Sequence, residues 1–342
     1  MGISSVIPNI EKNLCDEPNL YDGNQKKINR VINSSGFLKR RITGNETTSD
    51  LCLQAANDLF AKLNIKKEEI DALLFISYTP DYLMPATSYV LHKKLELSQN
   101  CICMDIPQAC SGFVIGLYQA SMLINSGCKK VLLLVGDSFS KYTDMFNNNT
   151  APVFGDAGTA TVVEFSQSAE KIYFNINSDG REYDALMCKN GGFRNPVKKS
   201  DFYDDDIYKY ESKMDGGRIF DFTMNNVAPN IEELLIYANI SIDEIDEFIF
   251  HQANKFILEN IYRKLNIPQE KLSTKTLTDY GNQCGASIPC TISNVYNEHF
   301  SNKKLNVLLS GFGVGLSWAS AIVNFDNIYC STLDNYIGDT NE

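Results

Sequence analysis

The chain has 342 residues, of which 44% are hydrophobic and 21% charged, the make-up of an ordinary globular protein with enough length for a large core. Its formal net charge of −11 argues against nucleic acid and anionic membrane surfaces as general partners. No apolar run is long enough to span a bilayer and no signal peptide is visible, so a cytoplasmic location with the ten cysteines reduced is expected.

In chain order, a helix is predicted over residues 49–63, with Ser49 as a possible cap, and an apolar strand over 72–77. A helix over 87–95 carries His92 among lysines. Cys101-Ile-Cys103 has no second Cys or His pair at ligand spacing, so no metal is expected there. An extended stretch then leads through Asp105-Ile-Pro-Gln-Ala-Cys-Ser-Gly-Phe113 into a helix over 111–126 that is apolar on every face and therefore buried. Strands are predicted over 130–135 and 161–165. The polar, turn-rich stretch 181–217, with its acidic run Asp204-Asp-Asp206, reads as an insertion: either a lid or a solvated excursion. Beyond it come a helix over 227–238, a strand over 247–250 and a helix over 255–265. The helix over 287–299 has Pro289 in its first turn, where proline is tolerated. Strands over 307–310 and 319–325 complete the pattern.

The chain repeats itself. Asn64-Ile-Lys-Lys-Glu-Glu-Ile-Asp-Ala-Leu-Leu-Phe75 and Asn239-Ile-Ser-Ile-Asp-Glu-Ile-Asp-Glu-Phe-Ile-Phe250 share six residue types at matching places, 175 residues apart. The same spacing aligns 131–136 with 306–311 and sets Cys110 against Gly285. One separation serving three segments indicates two related halves, here 1–172 and 173–342, each of alternating strands and helices in a layered α/β architecture.

Cys110 stands at the N-terminus of the buried helix, where free backbone N–H groups and the helix dipole favour a thiolate. That makes it a candidate acyl-accepting nucleophile. His251 ends a buried strand just before a helix, the position at which α/β sheets bind ligands. His92 and His299 have structural explanations. The loop Gly281-Asn-Gln-Cys-Gly-Ala-Ser287 occupies in its half the place of the Cys110 loop, so the three segments can converge on one site.

Gln108-Ala-Cys-Ser-Gly-Phe113, His251-Gln-Ala-Asn254, Tyr280-Gly-Asn-Gln-Cys-Gly-Ala-Ser287, Gly311-Phe-Gly-Val-Gly-Leu-Ser-Trp318 and Phe154-Gly-Asp-Ala-Gly-Thr-Ala160 occur in the order seen in β-ketoacyl-acyl carrier protein synthase III enzymes, and from about residue 2 to 325 the chain resembles that family. The resemblance implies a thiolase-like fold of two duplicated βα halves in five layers (αβαβα), usually a homodimer. It implies a catalytic triad of Cys110, His251 and Asn282. An oxyanion hole would be formed by the backbone N–H groups of Cys110 and Val314. Cys110 would take an acyl group from an acyl-coenzyme A or an acyl carrier protein. It would then undergo decarboxylative Claisen condensation with malonyl-acyl carrier protein to give a β-ketoacyl product, with no metal or other cofactor. Lys255, Arg263 and Lys264 would dock the acidic carrier, and Met84 would reach the partner subunit's acyl pocket.

The chain departs from the family in two places. Where typical members bind coenzyme A with a Trp and two Arg, Arg30, Ser34 and Asn148 stand here, with Lys39, Arg40 and Arg41 nearby. That favours a specialised acyl pathway and leaves open whether coenzyme A or a carrier protein brings the primer. The chain also starts where members have usually run most of a first strand. Two other functions compete: acyl transfer to an amine, hydroxyl or small acid without decarboxylation, and a non-enzymatic scaffold that binds carrier protein.

Overall fold

The computed structural model describes residues 2–144, 147–168, 170–198, 212–296 and 304–338. Its strands in chain order are β1 (Gly2–Ile7), β2 (Ile10–Asn13), β3 (Lys39–Ile42), β4 (Ala72–Ile76), β5 (Ile102–Ile106), β6 (Lys130–Asp137), β7 (Ala157–Glu164), β8 (Tyr173–Ser178), β9 (Leu186–Cys188), β10 (Ser212–Met214), β11 (Glu247–Phe250), β12 (Leu305–Gly313), β13 (Ser317–Phe325) and β14 (Tyr329–Asn335). The α-helices are α1 (Gln25–Ser35), α2 (Thr48–Leu63), α3 (Thr87–Lys94), α4 (Gly112–Asn125), α5 (Gly216–Ala238), α6 (Lys255–Lys264), α7 (Lys275–Tyr280) and α8 (Ser287–Tyr296).

Six strands form one sheet in the order β14-β1-β7-β6-β4-β5, and four form a second in the order β11-β12-β13-β8. α4 and α8 lie between the sheets, α2 and α3 cover the outer face of the first, and α5 and α6 cover the outer face of the second. This is the αβαβα layering of a thiolase-like fold. The pleat explains why the strands read as unbroken apolar runs. Along β6, Val131, Leu133 and Val135 face the central helices while Leu132 and Leu134 face α2. Truncating a fully buried residue such as Leu133 to Ala would cost about 2–5 kcal/mol.

The repeat is visible as geometry. β4 and β11, α4 and α8, and β6 and β12 begin at Ala72 and Glu247, Gly112 and Ser287, and Lys130 and Leu305, each pair 175 residues apart. The repeat therefore brings the starts of α4 and α8 together in the central layer.

Several elements differ from the sequence expectation. Thr47, not Ser49, caps α2: it accepts the Asp50 N–H, and the Asp50 carboxylate accepts the Thr47 N–H in return. Ser49 lies inside the helix and donates to Asp81 at 2.7 Å. α5 begins eleven residues before the expected 227, capped by Asp215, which accepts the N–H groups of Gly217 and Arg218. Two starting glycines hid that helix. Within the insertion, β9 pairs with β10 as a two-stranded ribbon; Asp204–Asp206 and His299 lie outside the described residues. β1 does form, hydrogen-bonded between β14 and β7. It runs over six residues, with Ser4 and Ser5 interrupting its apolar pattern; Ser5 Oγ is hydrogen-bonded to Ser293 Oγ at 2.8 Å. The extended stretch before Cys110 is β5, the edge strand of its sheet. His92 is half-buried and bonds the Ser98 carbonyl at 2.9 Å, a structural role.

Candidate active site

Cys110 sits in the turn between β5 and α4 and is only 7% exposed. The β5 end is anchored by Asp105, whose carboxylate accepts the first N–H groups of α3, from Thr87 at 2.7 Å and Ser88 at 2.8 Å. Gly313 closes the other side. A Cβ there would lie 2.8 Å from both Cβ and Sγ of Cys110, so only glycine lets this turn approach the thiol. Ser317 Oγ donates to the Val314 carbonyl at 3.0 Å and is bonded to Ser111 Oγ at 2.7 Å, which ties the glycine-rich turn to the start of α4.

The Cys110 thiol is held well below its ordinary pKa. The largest cause is a hydrogen bond from the Cys284 thiol; burial opposes it, and hydrogen bonds from His251 and from the N–H of Val314 add to it. Cys284 moves the other way, well above the ordinary thiol value, because it donates to Cys110 and is buried. Of the two thiols, Cys110 is the one that gives up its proton more readily.

His251 follows β11 and is buried, with its backbone N–H on the Ser310 carbonyl at 2.8 Å. Its Nδ1 is 2.8 Å from Ser287 Oγ, the first residue of α8, and Ser287 Oγ also accepts the Gln252 N–H at 3.3 Å. With Ser287 Oγ as donor to Nδ1, the proton of a neutral ring stands on Nε2, the nitrogen left to face Cys110. Phe312 packs edge-on against the ring at 5.5 Å between centroids.

Asn282 is fixed by its backbone: its N–H donates to the Val153 carbonyl at 2.8 Å, and its carbonyl accepts the Gly155 N–H at 3.0 Å. Its side-chain Oδ1 accepts the Cys284 N–H at 3.0 Å, so the Nδ2 donors are the part of the amide left for the site. Cys110, His251 and Asn282 thus come from three loops of the two halves onto one point.

A cleft of about 450 Å³ lies beside this point, lined by Tyr21, Lys27, Arg30, Phe37, Asn148 and Asn254 among others; its wall residue Val153 is the one whose carbonyl holds the Asn282 N–H. Arg30 and Asn148 reach it; Ser34 lies on a neighbouring outer face of α1. Lys39, Arg40 and Arg41 do not line it. Arg40 is buried on Glu17 through bonds of 2.6 and 2.9 Å, and Lys39 and Arg41 pair with Glu11 at 2.9 and 3.2 Å. The two aromatics, Tyr21 and Phe37, were not singled out from sequence, since neither falls in a motif. Of the three expected docking cations, Lys255 follows Asn254 at the cleft and packs against Gly36. Arg263 and Lys264 are about 12–13 Å away along α6, and they bond Asn260 Oδ1 at 3.0 Å and the Met224 carbonyl at 2.7 Å. Met84 lies with Leu83 on a projecting loop, 78% and 82% exposed.

Two buried carboxylates frame the site: Asp137, which ends the apolar strand β6 with no motif to mark it, and Asp156, which lies in the Phe154–Ala160 motif but was given no role from sequence. Asp137 accepts from Ser77 Oγ at 3.1 Å, Tyr78 N–H at 2.9 Å and Gly285 N–H at 3.4 Å, and burial pushes its carboxyl up to about 7. Asp156 accepts the N–H and hydroxyl groups of both Thr43 and Ser140, at 2.5 to 3.0 Å. It anchors the segment whose Phe154 bridges to Asn282. Among the described residues no group of three or more His, Cys, Asp or Glu could hold a metal ion, and no helix is long and apolar enough to cross a membrane.

Residues 104–180 match the family described as 3-Oxoacyl-[acyl-carrier-protein (ACP)] synthase III, and residues 235–325 match its C-terminal part. A Campylobacter jejuni protein named putative 3-oxoacyl-[acyl-carrier-protein] synthase 3 is 33% identical over 97% of this chain and 95% of its own. A Clostridium tetani beta-ketoacyl-[acyl-carrier-protein] synthase III is 34% identical over 95% of this chain and 97% of its own. The crystal structure of a 3-oxoacyl-(acyl-carrier protein) synthase from Burkholderia xenovorans superposes with a TM-score of 0.91 at 34% identity, covering 98% of this chain and 95% of that one. The chain belongs to the 3-oxoacyl-[acyl-carrier-protein] synthase III family.

Proposed function

We propose that this protein is a decarboxylating condensing enzyme with Cys110 as nucleophile. The observation that carries the reading is the pairing, on one buried thiol, of a thiolate-stabilising environment with two side-chain donors of fixed orientation, His251 Nε2–H and Asn282 Nδ2–H.

In the first half-reaction the Cys110 thiolate attacks a thioester carbonyl. The oxyanion that forms is held by the backbone N–H groups of Cys110 and Val314; the carbon–sulfur bond to the carrier breaks, and the carrier leaves as a thiolate that takes a proton from solvent. In the second, a malonyl thioester loses carbon dioxide. The negative charge that develops on its thioester oxygen is met by His251 and Asn282. The enolate carbon attacks the acyl-cysteine, the Cys110 thiolate leaves, and a β-ketoacyl thioester remains. No metal or redox group enters these steps. The protein is thus read as an acyltransferase of the ketoacyl synthase kind, divided near residue 172 into a half that carries the nucleophile and a half that carries His251 and Asn282.

The cleft would admit the phosphopantetheine arm shared by coenzyme A and acyl carrier protein. Lys27 and Arg30 line the cleft, where they would meet its phosphate, and Lys255, Arg263 and Lys264 of α6 would dock an acidic carrier. A homodimer fits the open edge of β5, where Ile102 and Met104 are exposed, and the apolar loop with Tyr82, Leu83 and Met84. Met84 would then project toward the acyl pocket of the partner. The β9–β10 ribbon would flank the cleft as part of a lid, since Met214 of β10 lines it.

Incubation with a panel of acyl-coenzyme A and acyl-carrier thioesters, followed by intact mass and peptide mapping, tests the first half-reaction. An acyl adduct on Cys110 that is absent in Cys110→Ala is expected. A folded protein that takes no acyl group from any donor would contradict it.

A further inference from the structure

The strongest feature that condensation leaves unused is the second thiol at the nucleophile. All ten cysteines are free. Among the described residues only Cys284 shares the small buried cluster of Cys110, with Ala109 and Phe154. The backbones touch here as well: a Cβ on Gly285 would lie 2.8 Å from the Ala109 carbonyl oxygen. The repeat explains the meeting, because Cys110 and Gly285 are its equivalent positions. Cys284 is also held in place. It adopts φ of 48°, a conformation rare for a residue with a side chain, and its N–H is fixed on Asn282 Oδ1 at 3.0 Å. Its thiol donates to the Cys110 sulfur. Adjacent backbones and two thiols in one buried cluster put Cys110 and Cys284 within reach of each other, the first requirement for a disulfide.

We propose that Cys284 is a resolving thiol: once a hydroperoxide has oxidised Cys110, Cys284 captures it as an intramolecular disulfide that a thiol reductant reopens. The proposal rests on the reading of Cys110 as the nucleophilic thiolate of the site. The Cys110 thiolate attacks one peroxide oxygen, an S–O bond forms, the O–O bond breaks, and the departing oxygen takes a proton to give an alcohol or water. Cys110 is then a sulfenic acid. The Cys284 sulfur attacks it, an S–S bond forms, the S–O bond breaks, and hydroxide leaves with the Cys284 proton as water. Two thiols are oxidised and one peroxide is reduced. The low-pKa Cys110 is the thiol that reacts first. The disulfide blocks acylation, and it also stops further oxidation to the irreversible sulfinic acid.

The test treats the full chain with hydrogen peroxide, alkylates remaining thiols and maps peptides without reduction, comparing wild type with Cys284→Ser and Cys284→Ala, all checked for native circular dichroism. In wild type, a cross-link between the peptides of Cys110 and Cys284 is expected, with acylation of Cys110 lost and then recovered on adding a thiol reductant. In both variants Cys110 should proceed to sulfinic acid and acylation should not return. Sulfinic acid on wild-type Cys110 at the rate seen in the variants, or a cross-link to a different cysteine, would overturn the proposal. The map needs no enzymatic activity. A protein that cross-links 110 to 284 yet takes no acyl group before peroxide treatment would sink the condensing-enzyme reading alone.

Discussion

The side-chain oxygen of Asn282 accepts the backbone N–H of Cys284 at 3.0 Å, and this one bond decides which end of the amide the active site sees. Asn282→Asp keeps the acceptor and removes the donor. Acylation of Cys110 should persist, while decarboxylation should fall roughly 10²–10³-fold, the usual loss for one oxyanion donor. Single-turnover acylation measured beside carbon dioxide release separates the steps; equal loss in both would contradict the assignment.

Ser287 Oγ orients His251 through Nδ1 at 2.8 Å. Ser287→Ala leaves both Nδ1 and the Gln252 N–H without this partner, so the imidazole can take the other tautomer. About tenfold lower condensation is expected, the consequence of roughly 1.4 kcal/mol, within the range for one lost hydrogen bond. A KM effect with kcat unchanged would show that the bond serves binding and not the donor.

The lowered pKa of Cys110 fixes the pH dependence of alkylation. The native thiolate is favoured by the Cys284 hydrogen bond and by His251, so reaction with iodoacetamide should remain fast well below the ordinary thiol pKa of about 8.5. Removing His251 by His251→Ala should move the rate profile to higher pH. A wild-type profile centred at the ordinary thiol value would contradict the thiolate assignment.

Asp137 carries a stability signature. Its carboxyl sits near 7 in the fold, raised by burial, against about 3.9 in the unfolded chain. Below pH 4 both states hold the proton and ionisation costs nothing. As pH rises to about 7 the unfolded state ionises more readily, so this group's contribution to stability falls, and above 7 the difference is constant. Asp137→Asn does not titrate. Its Tm relative to wild type should therefore become more favourable between pH 5 and pH 8, checked by calorimetry; parallel Tm profiles would refute the shift.

Much of this site was legible because its chemistry lies in short motifs with fixed neighbours. The Cys110 turn, His251-Gln-Ala-Asn254 and the Asn282 loop each join an apolar strand or helix to a distinctive polar residue. The 175-residue repeat gave the two related α/β halves, and the family resemblance their five layers. What escaped depends on contacts between distant segments. β1 and β14 are polar-looking strands that pair with each other across the length of the chain. Asp137 and Asp156 are set by backbone donors that only the folded loops bring together. Cys284 was quoted within a motif, yet its contact with Cys110 follows from the packing of two loops 174 residues apart. That Lys39, Arg40 and Arg41 turn away from the cleft follows from their pairing with Glu11 and Glu17, which is invisible to local spacing.

The most direct measurement takes protein already acylated on Cys110, adds malonyl-acyl carrier protein, and follows carbon dioxide release together with the mass of the carrier-bound product. Release matched by a β-ketoacyl carrier and a freed Cys110 is the predicted result, with Asn282→Asp acylated but silent. An acyl-Cys110 that persists, or that passes its acyl group to an amine, hydroxyl or small acid with no carbon dioxide released, would contradict the decarboxylating mechanism.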